Sequence, residues 1–151
     1  MSLHSYTRVW FHLVWATLER RPLLSKAAAV KLSGHLQEYA ESKGIYLKIN
    51  FVSSDHVHAL IDLPGNLCID DAVKLLKGES SHWVNEQNLV PGKLGWQRGY
   101  GAFSVSQSGV SAVCAYIADQ ERHHAKASFE DELRALVTKY ELVWRDEEEN
   151  R

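Results

Sequence analysis

Cysteine is scarce in this chain of 151 residues, and the two that are present, Cys68 and Cys114, form no C-x-x-C motif. Two isolated thiols exclude a disulfide framework and a thiolate zinc cluster, and they fit a reducing compartment. Long apolar runs are missing as well, and the first residues lack the basic-then-apolar order of a signal peptide. We therefore expect a cytoplasmic protein with no membrane span.

A strong excess of one charge is also absent, because 17 basic and 19 acidic residues give a formal net charge of −2. Such a balance argues against a broadly basic nucleic-acid surface. Residues 146–151 hold four acids and one base, and they predict a solvated acidic tail. The remaining body, 1–145, carries 16 basic and 15 acidic residues, and its length predicts a single domain.

The order of apolar patterns along the chain predicts the fold class. Period-two and β-branched patterns predict strands over 6–15, 45–52, 56–63 and 96–105, and patterns spaced by three and four predict helices over 25–44 and 69–83. This βαββαβ order is that of a ferredoxin-like α+β fold, an antiparallel sheet with its helices packed on one face. Two additional C-terminal helices are expected over 110–125, capped by Ser108, and from Ser128 to about Tyr140.

The strand over 56–63 carries two histidines on one face. His56 and His58 are separated by Val57, which places their Cα atoms about 7 Å apart with both rings leaning the same way. That spacing suits two ligands of one metal ion, which would need a third protein ligand. In a chain with eight histidines, a chance pair in a buried strand is the competing interpretation.

The first additional helix carries a second polar pair beside its apolar stripe. Tyr116 and Gln120 are four residues apart, so one side chain lies above the other. One interpretation is a boundary aromatic and a solvated helix former. The other is a nucleophile one turn from an amide oxygen that could complete a metal shell.

Taken together, these motifs resemble a known family. His56-Val57-His58 and the later Tyr116-Ile117-Ala118-Asp119-Gln120 resemble the single-tyrosine HUH transposases of the insertion-sequence-200 type, where HUH denotes histidine, hydrophobic, histidine. Segments 76–81 and 96–105 also resemble family segments, in the same order. The pair His123-His124 resembles the variant associated with repetitive extragenic palindromes (REP).

The resemblance implies a catalytic site and a reaction. Carried over by motif, Tyr116 is the nucleophile, and His56, His58 and Gln120 hold a divalent ion, Mg²⁺ or Mn²⁺. The implied activity is transposition, by cleavage and rejoining of single-stranded DNA through a 5′-phosphotyrosine at hairpin-flanked sites. Family members are dimers, so we expect a homodimer in which each tyrosine helix lies against the partner's HUH strand. A non-cleaving protein that binds DNA hairpins and a ferredoxin-like dimer that binds a small molecule are the alternatives.

Several further residues are candidates for contact with DNA or the metal. Tyr100 and Phe103 could stack on bases, and Lys77, Arg98 and Arg122 could lie near phosphates. For each, a packed aromatic ring or a solvated charge is the alternative. His123 and His124 could approach the metal, or bind phosphate when protonated.

Overall fold

The computed structural model describes residues 4–124 and 127–146, and of residues 123 and 124 it describes the backbone but not the side chains. The elements run in the order β1 (Trp10–Ala16), α1 (Lys26–Ser42), β2 (Tyr46–Val52), β3 (His56–Asp62), α2 (Ile69–Glu86), β4 (Gly101–Val105), α3 (Val110–Ala118), α4 (Gln120–His124) and α5 (Phe129–Lys139). The strands form one sheet in the order β2-β3-β1-β4, and all neighbours are antiparallel. This arrangement confirms the predicted α+β, ferredoxin-like class with additional C-terminal helices.

The structure does not describe residues 147–151 or the side chains of His123 and His124. The expectations for the acidic tail and for these two histidines therefore lie outside the described residues. Among the described helices, none is both long enough and apolar enough to cross a membrane.

Both faces of the sheet are covered, and the two faces have different roles. Helices α1 and α2 bury one face in the main apolar cluster, which includes Leu13, Trp15, Leu32, Leu36, Val57, Ile61, Val73 and Leu76. On the other face, α3 packs against Leu60 through Val110 and Ile117, and α5 packs against Val14 and Phe103 through Phe129. Because side chains alternate along β3, its histidines point to the face covered by α3 and α5.

Local capping explains where the helices begin. The Ser25 hydroxyl accepts a hydrogen bond from the Ala28 N–H at 3.2 Å, which confirms the predicted start of α1. Gly44 follows the same helix with φ of +72°, the left-handed conformation that favours glycine after a helix end. The Ser128 hydroxyl likewise accepts from the Asp131 N–H at 3.2 Å and fixes the start of α5.

The last strand is shorter than the pattern predicts. Only Gly101–Val105 pairs as a strand, and Trp96 forms no more than an isolated bridge with Thr17. The Lys77 ammonium on α2 donates to the carbonyls of Gln97 and Gly99 at 2.8 and 2.9 Å. These carbonyls therefore bond to a side chain instead of to a neighbouring strand, and the segment before β4 becomes a loop.

The helix predicted over 110–125 is divided into α3 and α4. Asp119 lies between them with φ of −97° and ψ of 17°, outside the helical region. Ser108 is not the cap that the sequence predicted. Instead, Ser106 accepts a hydrogen bond from Gly109 at 3.2 Å and caps a single turn of 3-10 helix, and Gly109 precedes α3.

We expect Gly101→Ala to destabilise the fold. A Cβ atom at this position would lie 2.7 Å from Cγ2 of Val14 and 2.8 Å from Cε2 of Phe103. Overpacking of this kind costs roughly 1–3 kcal/mol, measurable by urea unfolding. Gly78→Ala is the matched control, because no described atom lies within 4 Å of a Cβ at that position in α2. Alanine there should raise the free energy of unfolding by about 0.5–1 kcal/mol. A Gly101→Ala protein as stable as the wild type would contradict this packing.

Candidate active site

Strand β3 presents His56 and His58 as a buried pair. Both side chains have 0% exposure, and their ring centroids lie 5.2 Å apart with an interplanar angle of 76°. Ring contacts hold the pair in place, because Phe129 of α5 stacks on His56 with centroids 4.4 Å apart. The rings are therefore fixed on the sheet face that α3 and α5 cover.

Each histidine uses its Nδ1 atom for a hydrogen bond within the protein. His56 Nδ1 lies 2.7 Å from Oδ1 of Asp55, and His58 Nδ1 lies 2.8 Å from Nε2 of His12 on β1. A ligating histidine usually engages its second ring nitrogen in this way, which orients the ring and sets its tautomer. The Nε2 atoms of both rings then face the remaining members of the site.

A carboxylate from α5 meets these two Nε2 atoms. Oε1 of Glu132 lies 3.2 Å from Nε2 of His58, and Oε2 lies 3.8 Å from Nε2 of His56. One ligand atom from each of the three side chains lies within 4.8 Å of the others, a grouping that could hold a metal ion. Two imidazoles and one carboxylate are also a donor set found in metalloenzymes with open coordination positions.

The tyrosine of α3 lies beside the same cluster. The ring of Tyr116 is 5.9 Å from the ring of His58 and 6.0 Å from that of His12, with near-perpendicular planes in both pairs. Its hydroxyl donates a hydrogen bond to Oε1 of Glu132. The phenolic oxygen is thus directed at the carboxylate that also contacts the histidine pair, within one chain.

Gln120, at the start of α4, completes the cluster from the side of the tyrosine. Its side chain is fully buried, and Nε2 donates to Oε1 of Glu132 at 2.9 Å. Its amide oxygen, Oε1, is buried and accepts no hydrogen bond from any residue that the structure describes. A buried oxygen without a donor is costly in a folded protein, and a cation is one partner that would satisfy it.

The electrostatics keep the tyrosine neutral in the absence of a metal. Burial raises the pKa of the Glu132 carboxyl, but the neighbouring His58, Tyr116 and Gln120 outweigh burial and lower this pKa to about 2. Burial, and then the hydrogen bond and charge of Glu132, raise the pKa of the Tyr116 phenol, while Gln120 opposes them. A protonated phenol beside an ionised carboxylate is therefore the resting state near neutral pH.

The structure brings together all four residues that the sequence singled out for the site: His56, His58, Tyr116 and Gln120. Their chemical roles stay predictions. Sequence reasoning missed two members of the cluster, Glu132 and His12. Glu132 lies in the acidic first turn of α5, where acids are common because they favour a helix N-terminus, so nothing local distinguished it. His12 belongs to an apolar strand, and its spacing does not show that this strand pairs with β3.

Among the residues expected to contact DNA, some side chains are exposed, and others are buried or already hydrogen-bonded within the protein. Phe103 is only 3% exposed, packs in the core and is not available for stacking on a base, and Lys77 is engaged by two loop carbonyls. Tyr100 is 39% exposed and donates to Asp70 at 3.4 Å. The exposed Arg98 and Tyr100 line a cleft of about 650 Å³ that extends along α5, and Arg122 is exposed beside Asp119.

The fold is an antiparallel sheet that presents a histidine pair to a tyrosine on a helix. Comparison with known proteins identifies the family to which this fold and site belong. The family model described as "Transposase IS200 like" matches residues 5–120. The ISDra2 transposase TnpA of Deinococcus radiodurans is 29% identical over 116 residues, which span 73% of this chain and 82% of that relative. The family match covers most of the chain, so this protein belongs to the IS200-like transposase family.

Two solved structures have a similar fold. The crystal structure of a candidate transposase from Deinococcus radiodurans R1 has a TM-score of 0.61 and 27% identity, covering 80% of this chain and 96% of that one. The structure of a REP-associated tyrosine transposase bound to a REP hairpin has a TM-score of 0.58 and 16% identity, covering 84% of this chain and 76% of that one. The second likeness supports the fold alone.

Proposed function

We propose that this transposase cleaves and rejoins single-stranded DNA through a 5′-phosphotyrosine on Tyr116, at sites flanked by hairpins. The observation that carries the proposal is the convergence of the Tyr116 hydroxyl and the histidine pair on one carboxylate. Membership of a transposase family supports DNA as the substrate. Hairpin recognition is taken from the family resemblance of the two sequence motifs, and a protein of the same fold has been solved with a REP hairpin. A DNA substrate and two free cysteines support the cytoplasm, at the nucleoid, as the place of action.

We propose that His56, His58 and Gln120 hold a divalent cation, Mg²⁺ or Mn²⁺, together with Glu132. A divalent cation suits the donor atoms that meet here, which are two imidazole nitrogens, a carboxylate and the buried amide oxygen of Gln120. A bound divalent cation would polarise the scissile phosphate and, through its charge, lower the pKa of the nearby phenol. The two Nδ1 contacts keep both rings oriented for this role.

The proposed step transfers a phosphoryl group of the DNA from a 3′-oxygen to the phenolic oxygen of Tyr116. The Tyr116 oxygen attacks phosphorus, a bond from phosphorus to the tyrosine oxygen forms, and the bond to the 3′-oxygen of the preceding nucleotide breaks. The hydrogen bond to Glu132 orients the phenol. The phenolic proton passes to water, because a carboxyl group whose pKa is lowered to about 2 is too weak a base to keep it. The leaving oxygen takes a proton from water and becomes a 3′-hydroxyl. The new ester retains the energy of the phosphodiester, so attack by a 3′-hydroxyl rejoins the strand without ATP.

The test is covalent capture of DNA. A single-stranded hairpin oligonucleotide, labelled in turn at each end, is incubated with the protein and Mn²⁺ and resolved on a denaturing gel. We expect a protein–DNA adduct that carries the 3′ part of the oligonucleotide, and its loss when EDTA is added. An adduct on the 5′ part would contradict the 5′-phosphotyrosine. Absence of any adduct with hairpins drawn from the sequence around the gene would contradict the proposal.

A second function, hairpin binding without cleavage, is favoured by one observation. Glu132 engages both Tyr116 and Gln120, and burial raises the pKa of the phenol, which disfavours attack by its oxygen. A protein of this kind would shift a hairpin in a native gel and form no adduct in Mn²⁺. The capture experiment therefore separates the two functions.

We propose that each active site is formed within one subunit. The Tyr116 ring lies 5.9 Å from the ring of His58 in the same chain, which supports this arrangement. The homodimer stays a prediction, measurable by light scattering. Mixing Tyr116→Phe with His56→Ala protein tests the site directly, because sites formed between subunits would regain adduct formation. We expect no recovery, and recovery to about a quarter of wild-type activity would contradict the proposal.

A further inference from the structure

His12 is a buried polar residue for which the proposed reaction has no role so far. It lies on β1, pointing to the same sheet face as His58, and is only 3% exposed. Its Nε2 atom is 2.8 Å from Nδ1 of His58, and the two rings stack with centroids 5.1 Å apart and an interplanar angle of 28°. The contact is therefore both a hydrogen bond and a packing contact on a candidate metal ligand.

We propose that His12 is a positioning residue of the metal site, whose Nε2 accepts the Nδ1 hydrogen of His58 and so directs Nε2 of His58 toward the cation. This inference rests on the proposed function. A neutral imidazole carries one ring hydrogen, so a ring that binds a metal through Nε2 must hold its hydrogen on Nδ1. An acceptor at Nδ1 therefore selects the tautomer that can bind the metal.

The other histidine of the pair supports this assignment. His56 Nδ1 lies 2.7 Å from a carboxylate oxygen of Asp55, so both rings have an acceptor at the same atom. The acceptors differ in charge, and the surroundings explain the difference. A carboxylate in place of His12 would add a second buried negative charge close to Glu132, whereas an imidazole accepts a hydrogen bond without that repulsion.

The state of His12 fits the role of an acceptor. His12 is only 3% exposed, and burial of this kind favours the neutral form of an imidazole. A neutral ring retains one unprotonated nitrogen, and the geometry places Nε2 against His58. Two aromatic rings also lie beside His12, Phe103 at 6.4 Å and Tyr116 at 6.0 Å between centroids.

The test compares Mn²⁺ affinity, measured by calorimetry without DNA, in the wild type and two variants. His12→Leu fills a similar space but removes the acceptor, and we expect its dissociation constant for Mn²⁺ to rise roughly 10- to 100-fold. His12→Gln places an amide oxygen near the position of Nε2 and should recover most of the affinity. Circular dichroism and thermal unfolding check that each variant folds.

The outcomes separate this inference from the proposed function. If the wild type binds no Mn²⁺, the metal assignment fails. If the wild type binds Mn²⁺ and His12→Leu binds it equally well, the inference alone is overturned. Should His12→Leu not fold, ¹⁵N spectra of the histidine rings in the Mg²⁺-loaded wild type decide the question: the hydrogen must be on Nδ1 of His58 and absent from Nε2 of His12. The opposite pattern overturns the inference.

Discussion

Tyr116→Phe should abolish the covalent protein–DNA adduct while leaving hairpin binding intact. The substitution removes the proposed nucleophile and keeps the ring that packs beside His12 and His58. Loss of a covalent nucleophile costs other enzymes well over 1000-fold, so we expect adduct formation to fall by at least about that factor. The folded state should persist, because Glu132 retains its contacts with His58 and Gln120. Denaturing gels measure the adduct, and native gels measure hairpin binding.

The matched control is Tyr39→Phe. Tyr39 lies on α1, which covers the opposite face of the sheet, so removing its hydroxyl leaves the site untouched. We expect this variant to form the adduct at the wild-type rate. If Tyr116→Phe formed the adduct as well, another side chain would be the nucleophile, and the assignment of Tyr116 would be wrong.

His56→Ala should remove both Mn²⁺ binding and cleavage, with little loss of hairpin affinity. Changes in residues that only orient a metal ligand cost about 10- to 100-fold in affinity, so loss of a ligand itself should cost at least about 100-fold. His82→Ala is the control, because that imidazole is exposed on α2 and pairs with Glu86 at 3.2 Å. Calorimetry with Mn²⁺ measures the affinity, and circular dichroism checks the fold.

The same measurement examines the carboxylate that the structure adds to the site. If Glu132 is a ligand, Glu132→Ala lowers Mn²⁺ affinity in the same direction as His56→Ala. If instead the carboxylate only excludes the cation, its removal raises the affinity. We expect the first result, because Glu132 contacts the Nε2 side of both histidines. Unchanged affinity in His56→Ala would contradict the metal site as a whole.

Much of the fold could be predicted from the sequence because its signals are local. Alternation along β3, the caps at Ser25 and Ser128, and the spacing within each helix are set by near neighbours. The break at Asp119 and the short β4 could not be predicted in this way. In β4, the deciding contact is a lysine of α2 that bonds to the loop carbonyls from 20 and 22 residues away.

The candidate site was predictable in part for the same reason. The two histidines share one strand, and Tyr116 and Gln120 share one helical segment, so each pair shows in its own spacing. Glu132 and His12 reach the site only through tertiary packing: α5 folds back over the sheet, and β1 pairs with β3. Single residues brought in from separate elements have no sequence spacing that would identify them.

The identity of the nucleophile can be measured directly by mass spectrometry of the captured adduct. Wild-type protein is incubated with a single-stranded hairpin and Mn²⁺, the DNA is trimmed by nuclease, and the protein is digested to peptides. We expect the residual nucleotide on the peptide that contains Tyr116, attached to its phenolic oxygen through a 5′-phosphate. A nucleotide found on any other residue would contradict the proposed strand transfer through Tyr116.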